Sequence, residues 1–155
     1  MSYEAFVDHP LVSEVPEDLV RRLYDIGELL HVEPDVDVLE EGAPPENLFV
    51  VLDGELEVYL PKTQQRLSRV KLATVGQGTC IGEYGFVDRR PVSASMKTLG
   101  NVTLLRIAHS ELRRFIEHNP VAGYMISRNL MVALVDRLRS ENDALDLFYL
   151  PGGDA

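Results

Sequence analysis

A chain of 155 residues, 45% apolar and 26% charged, has the size and make-up of one globular domain with a real core. No apolar run nears the roughly 20 residues that span a bilayer, the acidic N-terminus lacks a signal-peptide pattern, and the single Cys80 leaves no internal disulfide framework. The net charge of −10 is uneven: residues 1–57 hold two basic and sixteen acidic side chains, residues 58–155 thirteen and nine, so the first part repels polyanions while the second can receive a small anion. These features point to a cytoplasmic location without membrane or direct nucleic-acid contact.

Residues 1–13 give little signal. Pro16-Glu17-Asp18 then opens a helix that Gly27 is placed to stop, with Leu19, Val20, Leu23 and Ile26 at helical spacing (residues 16–27). Short alternating pieces around Pro34 read as strand, turn, strand. In LFVVLDGELEVYL, two β-rich runs flank Asp53-Gly54, which predicts a two-residue hairpin whose second run alternates Leu56, Val58 and Leu60 inward. Further strands over residues 69–75, 92–98 and 102–107 complete six to eight at a spacing that predicts a closed or double-sheet β-barrel over residues 28–108.

From His109 to residue 150 the period is helical again, and Asn119-Pro120 divides two helices. In the longer one Met131, Leu134, Leu138, Glu141, Leu145 and Phe148 alternate at spacings of three and four. Such a seam serves self-association, with Met131, Leu134, Leu138 and Leu145 as its contacts, or packs on the barrel.

Chemistry concentrates in residues 76–96, GQGTCIGEYGFVDRRPVSASM. Glycines that admit a ligand to the backbone, a carboxylate beside them and arginines nearby are the parts of a phosphate-ester pocket; a plain barrel loop also needs such glycines. The four histidines have no partner at metal-ligand spacing and read as surface or capping residues. No nucleophile elbow, Walker loop or dinucleotide fingerprint is present, so the expectation is a non-enzyme without a metal or cofactor.

The order of helix, barrel, Gly-Glu loop, Arg-Arg-Pro, strand and closing helix pair resembles the cyclic nucleotide-binding domain family, which includes the bacterial catabolite activator and the regulatory subunits of cAMP-dependent kinase. LFVVLDGELEVYL, VGQGTCIGE and FIEHNP are similar to the family's central strands, cassette approach and last helix junction. The resemblance implies a mainly β fold with flanking helices: a double-stranded β-helix (jelly-roll) barrel of about eight strands, one N-terminal helix and two C-terminal helices, in a single domain over residues 1–155. It also implies cAMP or cGMP as ligand. Gly82 would admit the ligand, Glu83 would accept a ribose hydroxyl, and Ser93 would donate to the phosphate. Val92 stands where the family places its phosphate-binding arginine, and a guanidinium's charge-assisted bonds have no substitute in valine. Arg89 or Arg90 would reach inward in its stead or remain solvated. Arg137 and Leu138 fall where the catabolite activator contacts the base. The expected function is a regulatory sensor with weakened phosphate recognition; the alternative is a dimerisation or protein-interaction module that no longer binds nucleotide. With no recognition helix before Ala155, DNA contact would come through a partner.

Overall fold

The computed structural model describes the backbone over residues 2–153 and the side chains over residues 2–141. It begins with α1 (Ser2–Val7) and a 3-10 turn (Pro10–Val12), which bury Phe6, Leu11 and Val12. Neither piece is long enough to show a period, so the sequence carried no signal for them. α2 (Glu17–Ile26) starts after Pro16 and stops at Gly27, where proline, first-turn acids and glycine predict its ends.

Eight strands follow: β1 (Glu28–Val32), β2 (Asp37–Leu39), β3 (Asn47–Asp53), β4 (Leu56–Leu60), β5 (Val70–Val75), β6 (Cys80–Ile81), β7 (Ser95–Thr98) and β8 (Val102–Ala108). A short helix, α3 (Glu83–Asp88), lies between β6 and β7. The strands form two antiparallel sheets, ordered β1-β8-β3-β6 and β2-β7-β4-β5. The jelly-roll arrangement and the strand number agree with expectation. The closed barrel does not hold, because among the described residues backbone pairing ends at the edges of each four-stranded sheet.

The hairpin is also corrected. β3 pairs with β6 and β8, and β4 pairs with β5 and β7, so Asp53-Gly54 carries the chain from one sheet to the other. Gly54 has φ +91°, and a Cβ there would lie 2.5 Å from the Asn101 carbonyl oxygen. The glycine therefore serves a sheet-to-sheet corner packed on the turn before β8. The apolar run of β3 has a separate cause: Leu48, Val50 and Leu52 meet the helices, while Phe49 and Val51 face the space between the sheets. A strand buried on both faces reads as a continuous hydrophobic run. In β4 the inward alternation breaks at Tyr59, where the register with β5 shifts. Tyr59 is covered by the Arg69 guanidinium and donates its hydroxyl to Asp37 at 2.5 Å.

α4 (His109–His118) and α5 (Pro120–Gly153) divide at Asn119-Pro120 as predicted. The first half of α5 is anchored by buried Ala122, Ile126 and Leu130. Burying Ile126 and Leu130 contributes about 1.5–3 kcal/mol each. The Asn129 side-chain amide donates to the Leu11 and Ser13 carbonyls at 2.8 and 2.9 Å. Between Met131 and Glu141 only Leu134 and Arg137 are partly buried; the other side chains are exposed. That half of the helix stands over the second sheet. No helix among the described residues is long and apolar enough to cross a membrane.

Candidate functional site

A cavity of about 950 Å³ opens between the second sheet, the loop before β3, α3 and the overhanging half of α5. Its floor includes Val58, Ala73, Val75 and Met96 from the sheet, and its roof includes Leu134 and Arg137. Gly82, Glu83, Arg90, Val92 and Ser93 all line it. Arg89 is not among its walls: it terminates α3 with φ +59° and is exposed. Of the two arginines left open by the sequence, Arg90 is the one at the cavity.

Gly82 is placed by the close approach of β6 to β3. Its φ is +80°, and a Cβ would lie 2.4 Å from the Asn47 carbonyl oxygen, so a side chain would both strain the backbone and force the strands apart. Glu83 opens α3 and is 4% exposed. Burial raises its pKa, offset in part by its own amide and by Arg137. Its Oε1 accepts from Arg137 Nη1 at 3.0 Å, whereas Oε2 is buried with no hydrogen-bond partner among the described residues. Arg137 Nη1 also donates to the Tyr84 hydroxyl at 2.9 Å.

Val92 is fixed by backbone pairing to the facing loop. Its N–H donates to the Ala43 carbonyl at 2.9 Å, and its carbonyl accepts from the Gly42 N–H at 2.8 Å. The charges around the cavity favour the acids: Asp37, Glu40, Glu46, Glu83, Asp136 and Glu141 against Arg90 and Arg137.

Two residues escaped the sequence reading. Arg137 was noted for its position but not as a partner of Glu83, a contact that joins residues 54 apart. His109, read as a surface or capping residue, is 2% exposed behind the cassette. Its Nε2 lies 3.0 Å from the Gly82 carbonyl and its Nδ1 3.2 Å from the Pro45 carbonyl. Burial lowers its pKa against the pull of those carbonyls. His9 is buried too, accepting the Leu11 N–H at Nδ1, so only the capping half of that reading applies. Cys80 lines the same cavity, and burial followed by the nearby Glu83 charge raises its thiol pKa well beyond the ordinary range.

The seam residues divide. Met131 and Leu138 are 56% and 58% exposed, Leu134 lines the cavity, and Leu145 lies outside the residues whose side chains are described. The exposed apolar stripe runs instead through Val121, Tyr124, Met131, Val135 and Leu138.

The family model for the cyclic nucleotide-binding domain matches residues 29–119, which run from β1 through α4 to the start of α5. The chain belongs to the cyclic nucleotide-binding domain family. A cyclic nucleotide-binding domain from Methylobacillus flagellatus superposes with TM-score 0.83 at 23% identity, covering 92% of this chain and 81% of that one. Glutaminase 1 of Bradyrhizobium diazoefficiens is 28% identical over 140 residues, 90% of this chain but 22% of the glutaminase. The cGMP-dependent protein kinase egl-4 of Caenorhabditis briggsae is 29% identical over 126 residues, 75% of this chain and 16% of the kinase. This domain thus spans a small part of both enzymes.

Proposed function

We propose that this chain is a non-catalytic regulatory sensor in the cytoplasm that takes a cyclic nucleotide, cAMP or cGMP, into the cavity beneath α5. The observation that carries the reading is the 950 Å³ cavity lined by Gly82, Glu83, Arg90, Val92 and Ser93 and roofed by α5. Glu83 offers a buried acceptor for a sugar hydroxyl, and Ser93 a donor for a phosphate oxygen. Val92 withholds the loop guanidinium, which makes phosphate recognition weaker than an arginine there would give. The similarity to a cGMP-dependent kinase supports the ligand class.

Occupancy is transmitted by α5, whose overhanging half roofs the cavity while its first half is anchored. A ligand that prefers the closed position of the helix shifts its equilibrium by that difference in affinity. The apolar stripe on the outer face of α5 would join a second copy of the chain and carry the signal between protomers.

Thermal unfolding with and without each nucleotide tests the reading. A ligand at a hundred times its dissociation constant adds about 2.7 kcal/mol, which raises Tm by roughly 5–10 °C for a domain of this size. An unchanged Tm at millimolar cAMP and cGMP rules the reading out. The six acids against two arginines favour a second reading in that event, an interaction module without nucleotide.

A further inference from the structure

We propose that Arg137, on α5, supplies the anion contact of this cavity and reads a phosphate ester that carries a hydroxyl close by; the proposal rests on the cavity being a ligand site, as above. Among the described residues two arginines line the cavity. Arg90 leaves an exposed turn where its amide N–H is bound by Asp88. Arg137 is held in place. Its Nη1 donates to Glu83 and to the Tyr84 hydroxyl, and its guanidinium carbon lies 5.5 Å from the Tyr84 ring centre.

Those contacts occupy one nitrogen of the fork. Nε and Nη2, the pair that forms a side-on bidentate edge, have no hydrogen-bond partner among the described residues. Glu83 Oε2 is equally unused, and it is buried. One ion pair therefore presents a free two-donor edge and a free acceptor oxygen. Phosphate oxygens suit the edge, and a hydroxyl suits Oε2. The ligand class that supplies both is a phosphorylated sugar, of which a cyclic nucleotide is one member. Because Arg137 belongs to the roof and Val92 to the wall, the phosphate holds α5 down directly. An ion pair that merely neutralised Glu83 would show no dependence on phosphate.

The test compares cAMP with adenosine, and ribose 5-phosphate with ribose, on the full chain by calorimetric titration. The wild type should bind the phosphorylated member of at least one pair about thirtyfold or more tighter than its uncharged partner. Arg137→Ala should bring that ratio toward one, the phosphorylated member losing far more affinity than its uncharged partner, with Arg137→Lys in between. Val92→Arg added to Arg137→Ala should restore the preference from the opposite wall, which also shows that the altered chain still folds. Three results overturn the proposal: no phosphate preference in the wild type with either pair, a preference that survives Arg137→Ala, or an equal weakening of both members. A ribose 5-phosphate preference that depends on Arg137, without binding of cAMP or cGMP, removes the nucleotide reading and leaves the role of Arg137 standing.

Discussion

Val92 is held by its own backbone, pinned on both sides to Gly42 and Ala43, so a longer side chain at this position starts from the same point on the cavity wall. Val92→Arg should therefore tighten cAMP binding by tens of fold or more, measured by calorimetry, since a buried guanidinium–phosphate contact is worth about 2–5 kcal/mol. Gly82 behaves in the opposite way. Gly82→Ala places a methyl against the Asn47 carbonyl at positive φ and should cost at least about 1 kcal/mol, seen as a lower urea midpoint. The sequence reading reserved Gly82 for the approach of a ligand; the neighbour that requires glycine there is the Asn47 carbonyl. The placement of Arg90 at the cavity edge and of Arg89 outside it was not legible, because both follow from the left-handed end of α3, which adjacent identical residues do not announce.

Among the elements, α2 and the split between α4 and α5 were readable because caps and prolines act within one turn of the helix they bound. The hairpin failed because Asp-Gly specifies a tight reversal but not which strand lies beside which. In α5 the expected seam residue Leu134 turns to the cavity, one position before the exposed Val135. Leu134 and Val135 are 100° apart on the helix, so Leu134 covers the cavity while Val135 joins the exposed stripe. If that stripe seats a second copy, Leu138→Glu and Val135→Glu should each turn a dimer into a monomer in sedimentation at tens of micromolar. Leu134→Glu should leave the dimer intact and disturb the cavity.

At the scale of the whole molecule, two buried imidazoles make stability depend on pH. Burial lowers the pKa of both His9 and His109 in the folded state. Between those lowered values and the ordinary value near 6.5 the unfolded chain holds more protons, so stability rises with pH there and is lost as pH falls below about 6.5. The urea midpoint should drop between pH 7 and 5.5, and His9→Asn, which keeps an acceptor for the Leu11 N–H, should drop less. Glu83 acts with the other sign. Its raised folded pKa means the native state holds the proton more firmly, so its contribution is fullest below the ordinary carboxylate value and declines as pH rises through the folded pKa. The number of strands was legible in the spacing of turns, whereas the jelly roll was implied by the family resemblance. The burial of these histidines was not legible, since it depends on contacts such as His9 Nε2 with the Thr79 carbonyl, across 70 residues.

Cys80 gives the cavity a chemical clock. It is the sole cysteine of the chain, it sits in the cavity wall, and burial holds its sulfur in the unreactive thiol form. Alkylation by a small maleimide, followed by mass without any engineered probe, therefore reports access to the cavity wall. A bound ligand should slow the reaction, and Arg137→Ala should hasten it.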